Sequence, residues 1–346
     1  MRLSRTARRF LLPVAVMLLV AAGCGDDAED DSSSTTDAPP ISVPDGIEVA
    51  AGLTDPEDPT IAVLEFMPEE VAVDVGTEVT WVWSGTEPHS VTFLAPDTTL
   101  PAPGSDFSLF APTPAAGPYE GGSLVNSGLV PLGPDAPAPF TMSFSKPGDY
   151  EYYCVIHPLM VGTVRVGGDG GEVDTPTSVA TRRAADQEKW LAEGRAAAAE
   201  LADAEPVSTK NDDGSTTWTV EMGVTTPHAD VLAFAPVPTK VKAGDTVTFV
   251  NNSGAPHTAS FFGEGAEQIV DPTDPRTDAP APGPSPQALT SVGFFNTGLL
   301  PPDAPPGEGP PLGARSFSFT IAKAGDYPYV CILHAPSNMV GTISAS

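Results

Sequence analysis

Residues 148–163 read Gly148-Asp149-Tyr150-Glu151-Tyr152-Tyr153-Cys154-Val155-Ile156-His157-Pro158-Leu159-Met160-Val161-Gly162-Thr163. A second copy, residues 325–342, reads Gly325-Asp326-Tyr327-Pro328-Tyr329-Val330-Cys331-Ile332-Leu333-His334-Ala335-Pro336-Ser337-Asn338-Met339-Val340-Gly341-Thr342. Each copy predicts a strand, a loop that carries cysteine, histidine and methionine, and a second strand. This stretch decides how the rest of the chain is interpreted.

The repeat extends upstream of these loops. Residues 62–89 align without a gap on residues 230–257, at an offset of 168, so that His89 in Pro88-His89-Ser90 matches His257 in Pro256-His257-Thr258. Cys154 matches Cys331 at an offset of 177. The chain therefore contains one domain twice.

Short alternating runs fill both copies. Residues 70–75 and 78–83 alternate around a Gly76-Thr77 turn, and similar alternation occurs at 140–144 and 317–321. Alternation implies strands with one buried face. We predict an all-β protein of two Greek-key β-sandwiches, at residues 47–168 and 207–346, joined by a helical linker.

The linker, residues 169–206, contains a run rich in alanine, glutamate and arginine from about Ser178 to Asp203. These are strong helix formers, and Pro206 ends the pattern. Trp190, Leu191 and Leu201 give this helix a thin apolar stripe. We expect a connecting helix that rests partly on one domain.

Each copy also holds a long proline-rich loop, residues 95–123 and 263–291. Such loops are often functional. Phe107, Leu109 and Phe110 of the first loop could cap the sandwich or flank a bound metal, or the loop could simply fold on its own sandwich.

The start of the chain predicts export. Residues 1–23 combine four arginines with an apolar run too short for a confident membrane span. The run ends Val20-Ala21-Ala22-Gly23-Cys24, which resembles the lipobox of bacterial lipoproteins and implies acylation of Cys24. The alternative is an ordinary signal peptide with an incidental cysteine. Residues 24–46, acidic and rich in serine and proline, predict a disordered tether.

The chain is strongly acidic. It carries 45 Asp and Glu against 16 Lys and Arg, a net charge of −29. This charge argues against nucleic acid and anionic membrane surfaces as partners and leaves room for a basic protein partner. A role in solubility alone is the alternative.

The repeated residues suit one kind of metal site. A thiolate, two imidazoles and a long thioether bond serve both Cu(I) and Cu(II) in blue-copper electron-transfer sites. The spacing puts three of these groups on one loop and the fourth on a neighbouring strand. A disulfide between Cys154 and Cys331 and a zinc site are the alternatives. His228, which has no counterpart in the first copy, is interpreted as a surface-loop residue.

The motif Gly-Asp-Tyr-x-Tyr-x-Cys-x-x-His, followed by Met and Gly-Thr, resembles that of the cupredoxins, the plastocyanin and azurin family. The spacing Cys154-x2-His157-x2-Met160 is similar to amicyanin, and Cys331-x2-His334-x4-Met339 is similar to plastocyanin. The predicted lipid anchor and the acidity also resemble halocyanin. The resemblance implies two copper ions, one in each domain, and it implies these eight ligands: His89, Cys154, His157 and Met160, and His257, Cys331, His334 and Met339.

Two further expectations come from the resemblance. The residue after the first histidine ligand is often asparagine in the family, but here it is Ser90 or Thr258, which leaves the bracing of the thiolate loop open. Electrons are expected to enter and leave through His157 and His334, whose edges lie near the surface in an apolar patch in the family.

We therefore predict a membrane-anchored electron carrier with two type 1 copper sites, outside the cytoplasmic membrane or in the periplasm, held there by its lipid anchor only. Its partners would be a redox protein donor and acceptor, basic or membrane-bound. The alternatives are copper storage or delivery, or a subunit of a copper oxidase or reductase. Catalysis needs a further histidine site for substrate, and the sequence has no His-x-His pair, so an enzyme is not expected.

Overall fold

The computed structural model describes residues 45–100, 107–130, 138–157, 159–167, 172–269, 285–302 and 314–346. Nine strands are described in the first half: β1 Ile47–Thr54, β2 Ile61–Met67, β3 Glu70–Asp74, β4 Glu78–Ser84, β5 Thr92–Phe93, β6 Val125–Asn126, β7 Phe140–Ser143, β8 Gly148–Tyr153 and β9 Val161–Gly167. A short 3-10 helix spans Phe107–Phe110.

Helix α1, Pro176–Ala202, separates these strands from the second set. The second half contains β10 Ser208–Lys210, β11 Thr216–Thr225, β12 Ala229–Ala235, β13 Thr239–Val241, β14 Thr246–Val250, β15 Ser260–Phe262, β16 Gln287–Leu289, β17 Phe294–Asn296, β18 Ser316–Ile321, β19 Gly325–Val330 and β20 Val340–Ala345. The all-β prediction is confirmed, with one α-helix in the described part of the chain.

Each half is a sandwich with its own aromatic core. The five-stranded sheet β3-β9-β8-β5-β6 covers the first half, and β13-β20-β19-β15-β17 covers the second. The predicted alternation holds in β4, where Val79 and Trp81 are fully buried. The edge of the Trp81 ring meets Tyr152, and Phe249 meets Tyr329 in the same way in the second half. Such edge-to-face pairs add about 0.5–1.5 kcal/mol beyond their buried area.

In each half, a tyrosine ring covers a glycine next to the predicted metal loop. A Cβ atom on Gly162 would lie 2.3 Å from the ring of Tyr152, and one on Gly341 would lie 2.3 Å from the ring of Tyr329. The strand pairs β8–β9 and β19–β20 place these residues directly opposite each other. The glycine of the Val-Gly-Thr motif is thus needed for the close approach of the tyrosine ring.

The two halves share one sheet. The inner sheets of both sandwiches merge in the order β16-β18-β14-β11-β12-β2-β1-β4-β7, with β10 added beside β11. The junction is the antiparallel pair β2–β12, in which Ala62 faces Asp230. The expectation that the helix alone joins two sandwiches is therefore incomplete, because main-chain hydrogen bonds join them as well.

The junction has a local two-fold character. The pairs on either side of Ala62–Asp230 are Val63–Ala229 and Ile61–Val231. With the repeat offset of 168, residues 61, 62 and 63 correspond to 229, 230 and 231 (61 + 168 = 229), so these pairs exchange under the repeat. The contact is thus isologous: each half presents the same strand to the other.

Helix α1 lies across this junction. It begins at a capping box in which Thr175 and Ser178 bond each other's backbone, with Pro176 at the first helical position. Its buried Trp190 packs in one cluster with Val63 of β2 and Ala229 of β12. The prediction that the helix rests on one domain is wrong, because its thin apolar stripe covers strands of both.

Polar contacts fix the helix in place. Arg195 donates two hydrogen bonds, of 2.5 and 2.8 Å, to the buried carboxylate of Asp55, and Arg183 pairs with Glu48. The interpretation of His228 as a surface-loop residue is incomplete: this residue lies in the turn between β11 and β12 and is part-exposed, but it also contacts the helix. Its ring stacks on Trp190 at 5.0 Å, and its Nδ1 lies 3.0 Å from Glu193 on the helix. His228 therefore belongs to the packing of α1.

The predicted signal peptide, Cys24 and almost all of the tether lie outside the described residues. The described residues belong to one compact unit, residues 41–346. Within them, no helix has both the length and the apolar character needed to cross a membrane.

Candidate metal centres

Strand ends position the first group of predicted ligands. β8 ends at Tyr153 and β9 starts at Val161, so the loop between them carries Cys154, His157 and Met160. The loop is closed by hydrogen bonds from Cys154 N to the carbonyl of Met160 (3.1 Å) and from Met160 N to that of His157 (2.9 Å). His89 comes from a different segment, which two hydrogen bonds of 2.8 Å tie to Val130.

The predicted ligands meet in both halves. In the first, Cys154 Sγ lies 4.0 Å from His89 Nδ1 and 3.5 Å from His157 Nδ1, and the two Nδ1 atoms are 3.1 Å apart. In the second, the distances from Cys331 Sγ to His257 Nδ1 and His334 Nδ1 are 3.8 and 3.4 Å, and the nitrogens are 3.0 Å apart. The halves thus hold the same arrangement of three donor atoms.

This arrangement fits a metal ion. Bonds of about 2.0 Å to nitrogen and about 2.3 Å to sulfur place three ligand atoms about 3.5 Å apart around an ion. Each trio lies close to that spacing and is the only such group of three or more in the described part of its half. Both cysteines are buried and free, so the disulfide alternative is not realised in this structure.

The electrostatics favour thiolates at both sites. Burial raises the pKa of the Cys154 thiol, but the charge of His157 and hydrogen bonds with His157 and His89 outweigh burial and bring this pKa well below the ordinary range. Cys331 is subject to the same balance, with His334 as its main charge partner. Burial lowers the pKa of His89 and of His257. Burial also opposes the charge of His157 and His334, but the charge of Cys154 on His157, and the charges of Glu87 and Cys331 on His334, raise the pKa of these two loop histidines. A soft metal binds the thiolate and the deprotonated ring nitrogens, so it would replace the protons on His157 and His334.

Hydroxyl groups brace the thiolate loops. Ser90 Oγ accepts a hydrogen bond of 2.9 Å from Val155 N, and Ser90 N donates to Cys154 Sγ at 3.4 Å. In the second half Thr258 Oγ1 accepts from Ile332 N at 3.0 Å, and Thr258 N donates to Cys331 Sγ at 3.4 Å. The departure from asparagine therefore leaves the bracing intact, since a serine or threonine hydroxyl holds the residue after the cysteine.

The methionines and the first proline-rich loop lie close to the trios. Met160 and Met339 are fully buried, each in the same core cluster as the cysteine of its site. Leu109 and Leu129 pack against Val155, the residue after Cys154. Asn126 donates to the carbonyl of Leu109 at 2.6 Å. The described part of the first loop therefore packs on its own sandwich, and Leu109 lies beside the residue that follows Cys154.

The two sites differ behind the strand-borne histidine. His257 Nε2 lies 2.9 Å from Ser253 Oγ. The matching residue in the first half is Gly85 (253 − 168 = 85), and His89 Nε2 is buried without a hydrogen-bond partner among the described residues. Hydrogen bonds to the outer nitrogen set the orientation and basicity of a histidine ligand, so the two sites are not equivalent.

Each loop histidine points at the opposite half. His334 is 5% exposed, and its Nε2 lies 3.3 Å from Glu87 Oε2 of the first half. His157 lines a cavity of about 80 Å³ together with residues 225–230 of the second half. The expectation that His334 offers its edge at the surface is therefore wrong, because the neighbouring half covers it.

Sequence reasoning missed Glu87. Its carboxylate accepts a hydrogen bond of 2.8 Å from Ser337 Oγ, and Ser337 lies between His334 and Met339 in the second loop. Burial opposes its ionisation, but the charge of His334 and hydrogen bonds from His334 and Ser337 lower the pKa of Glu87 to about 2. The repeat alignment held a signal: Glu87 falls opposite Ala255 (87 + 168 = 255), two residues before a predicted ligand.

About a third of the chain is similar to known proteins. No family model matches the chain. Plastocyanin of Scenedesmus fuscus is 31% identical over 126 residues, which cover 36% of this chain and 96% of that protein. Amicyanin-alpha of Methylorubrum extorquens is 28% identical over 119 residues, 34% of this chain and 76% of that protein. Among solved structures, amicyanin of Paracoccus versutus aligns over 38% of this chain and 86% of that one, with 20% identity and a TM-score of 0.24.

Proposed function

Since the chain belongs to the cupredoxin family, we propose that it is an electron carrier with two type 1 copper sites, one in each half. The observation that carries this proposal is the pair of trios, each of one cysteine and two histidines with their donor atoms within 4.8 Å; all six residues are buried except His157, which is half-buried. The plastocyanin and amicyanin that the chain resembles are electron carriers and not enzymes.

The role of the chain is to hold the ligands still. Bound copper would supply a one-electron change between Cu(I) and Cu(II). His89, Cys154, His157 and Met160 would hold it in the first half, and His257, Cys331, His334 and Met339 in the second. The hydroxyl braces and the packed sandwich would keep these groups in place in both redox states, which suits rapid electron transfer.

Reversible redox chemistry in two separate steps is the expected result. Purified mature protein loaded with Cu(II) should be blue and should bleach in two one-electron steps during a potentiometric titration. We expect distinct midpoint potentials, because the loop from histidine to methionine has two intervening residues in the first half and four in the second, and because only His257 has a hydroxyl behind it.

Potentials that coincide within about 30 mV, roughly a threefold change in equilibrium constant, would contradict the inequivalence of the sites. Copper that binds but cannot be reduced reversibly would favour storage or delivery over electron transfer. Binding of zinc in preference to copper would contradict the proposal as a whole.

Anchoring is a second part of the proposal. The lipobox-like run before Cys24 and the acidic segment after it support a lipoprotein tethered outside the cytoplasmic membrane. Its donor and acceptor would be redox proteins, basic or membrane-bound. Cys24→Ala is expected to prevent acylation, so that the protein is either released or keeps its signal peptide uncleaved, while both copper domains stay folded. Wild-type protein found entirely in the medium would contradict the anchor.

A further inference from the structure

The region between the two metal centres contains a direct link. Glu87 belongs to the first half and lies two residues before His89, a ligand of the first site. Its carboxylate contacts the second site twice, through His334 Nε2 at 3.3 Å and through Ser337 Oγ at 2.8 Å. Glu87 is 6% exposed, so bulk water is largely kept away from these contacts.

His334 is oriented so that its ring contacts both the second metal position and Glu87. The Nδ1 atom of His334 faces Cys331 and His257 and would bind the metal. Its Nε2 atom faces Glu87. One imidazole ring therefore has the metal position on one side and the carboxylate on the other. A carboxylate in this place fixes the ring and raises its basicity as a ligand.

The link has no repeat-related copy. Glu87 corresponds to Ala255, and the shorter first loop has only Pro158 and Leu159 where the second loop places Ser337. The contact is thus a specific feature of the second site, although the halves meet through an otherwise symmetric strand pair.

We propose that Glu87 connects the two metal sites and carries electron exchange between them. The path would run from the second metal through the His334 ring and its contact of 3.3 Å with the Glu87 carboxylate. It would continue through two peptide bonds, by way of Pro88, to His89 and the first metal. With copper bound at both sites, one electron would leave Cu(I) at one site and reduce Cu(II) at the other, with no bond broken and no proton transferred. This inference rests on the proposed two-copper electron carrier.

The test compares three variants of the full mature chain loaded with copper. Glu87→Ala removes the link. Glu87→Gln keeps an oxygen that accepts from His334 but removes the charge. The matched control is Asp230→Asn, which removes another buried carboxylate at the centre of the same junction. Exchange is measured after a light flash has partly reduced the copper, by freeze-quenched EPR at successive times. The rate of intramolecular exchange is that of the phase that does not depend on protein concentration. Chains that carry Cys154→Ser or Cys331→Ser show which EPR signal belongs to which site.

Glu87→Ala should slow this exchange at least tenfold, and Asp230→Asn should leave it within about twofold of wild type. Glu87→Gln should keep most of the rate. The same variant should raise the midpoint potential of the second site by about 59 mV, which for one electron is a tenfold change in equilibrium constant. The reason is that the negative charge of Glu87 favours the more positive oxidised ion, and Gln lacks this charge. The potential of the first site, measured in the Cys331→Ser background, should move less.

An exchange rate in Glu87→Ala equal to that of wild type would overturn the inference, as would a blue, reversible wild type with no concentration-independent phase. If Glu87→Ala fails to bind the second copper, Glu87→Gln decides: an unchanged potential at the second site overturns the link. A wild type that never becomes blue would instead defeat the proposed function itself, so the two failures are distinguishable.

Discussion

Replacing Cys154 by serine is expected to remove about half of the visible thiolate-to-copper band and to leave the band of the second half in place. The reason is that the two trios share no ligand: the histidines that contact Cys154 are His89 and His157, and those that contact Cys331 are His257 and His334. The blue band needs a thiolate, and a serine hydroxyl cannot provide one. Absorption spectra and copper analysis of the variant measure the effect.

Cys331→Ser is the matched control and should remove the other half of the thiolate-to-copper band. The double variant should be colourless. Serine is close to cysteine in size, so both sandwiches should remain folded, and far-UV circular dichroism checks this. Loss of all colour from either single change would mean that the two sites depend on each other and would contradict the two-site account.

Replacing Gly52 by alanine is expected to disable the first site selectively. Gly52 has a φ of +72°, and a Cβ atom there would lie 2.0 Å from His89 Nε2 and 2.5 Å from Cδ2. His89 is buried and cannot swing aside freely. We therefore expect the ring to be displaced from the metal position and copper affinity at the first site to fall by on the order of a hundredfold, about 2.7 kcal/mol. Competition with a copper chelator measures the affinity.

Gly76→Ala is the control for backbone strain. Gly76 also has a positive φ, +87°, but a Cβ there would meet no atom within 4 Å. It should lose about 1 kcal/mol of folding stability and keep both coppers. If Gly76→Ala and Gly52→Ala reduce copper affinity at the first site equally, the contact with His89 is not the cause.

The ligand trios could be predicted from sequence because both copies repeat them. His89 and His257 sit at equivalent positions, and the cysteine and histidine of each loop are three residues apart. The resemblance to the cupredoxin motif then implied that each strand-borne histidine meets its loop. The all-β fold class could be predicted from the alternation of apolar and polar residues in the strands. Ligation by Met160 and Met339 remains a prediction, supported by their burial beside the cysteines.

The junction between the halves could not be predicted in the same way. Strands β2 and β12 are apolar almost throughout, which is typical of strands covered on both faces, but nothing in their sequence says that they pair with each other. The burial of His334 and the role of Glu87 follow from that pairing. Neither feature could therefore be predicted from two halves taken as separate domains.

The most direct test of the account is a titration of metal-free mature protein with Cu(II), followed at the visible thiolate-to-copper band with copper analysis at saturation. Two trios, each with a fully buried cysteine of thiolate character, predict that the band rises until two copper ions are bound per chain. Saturation at one ion per chain, or binding of copper without the band, would contradict it.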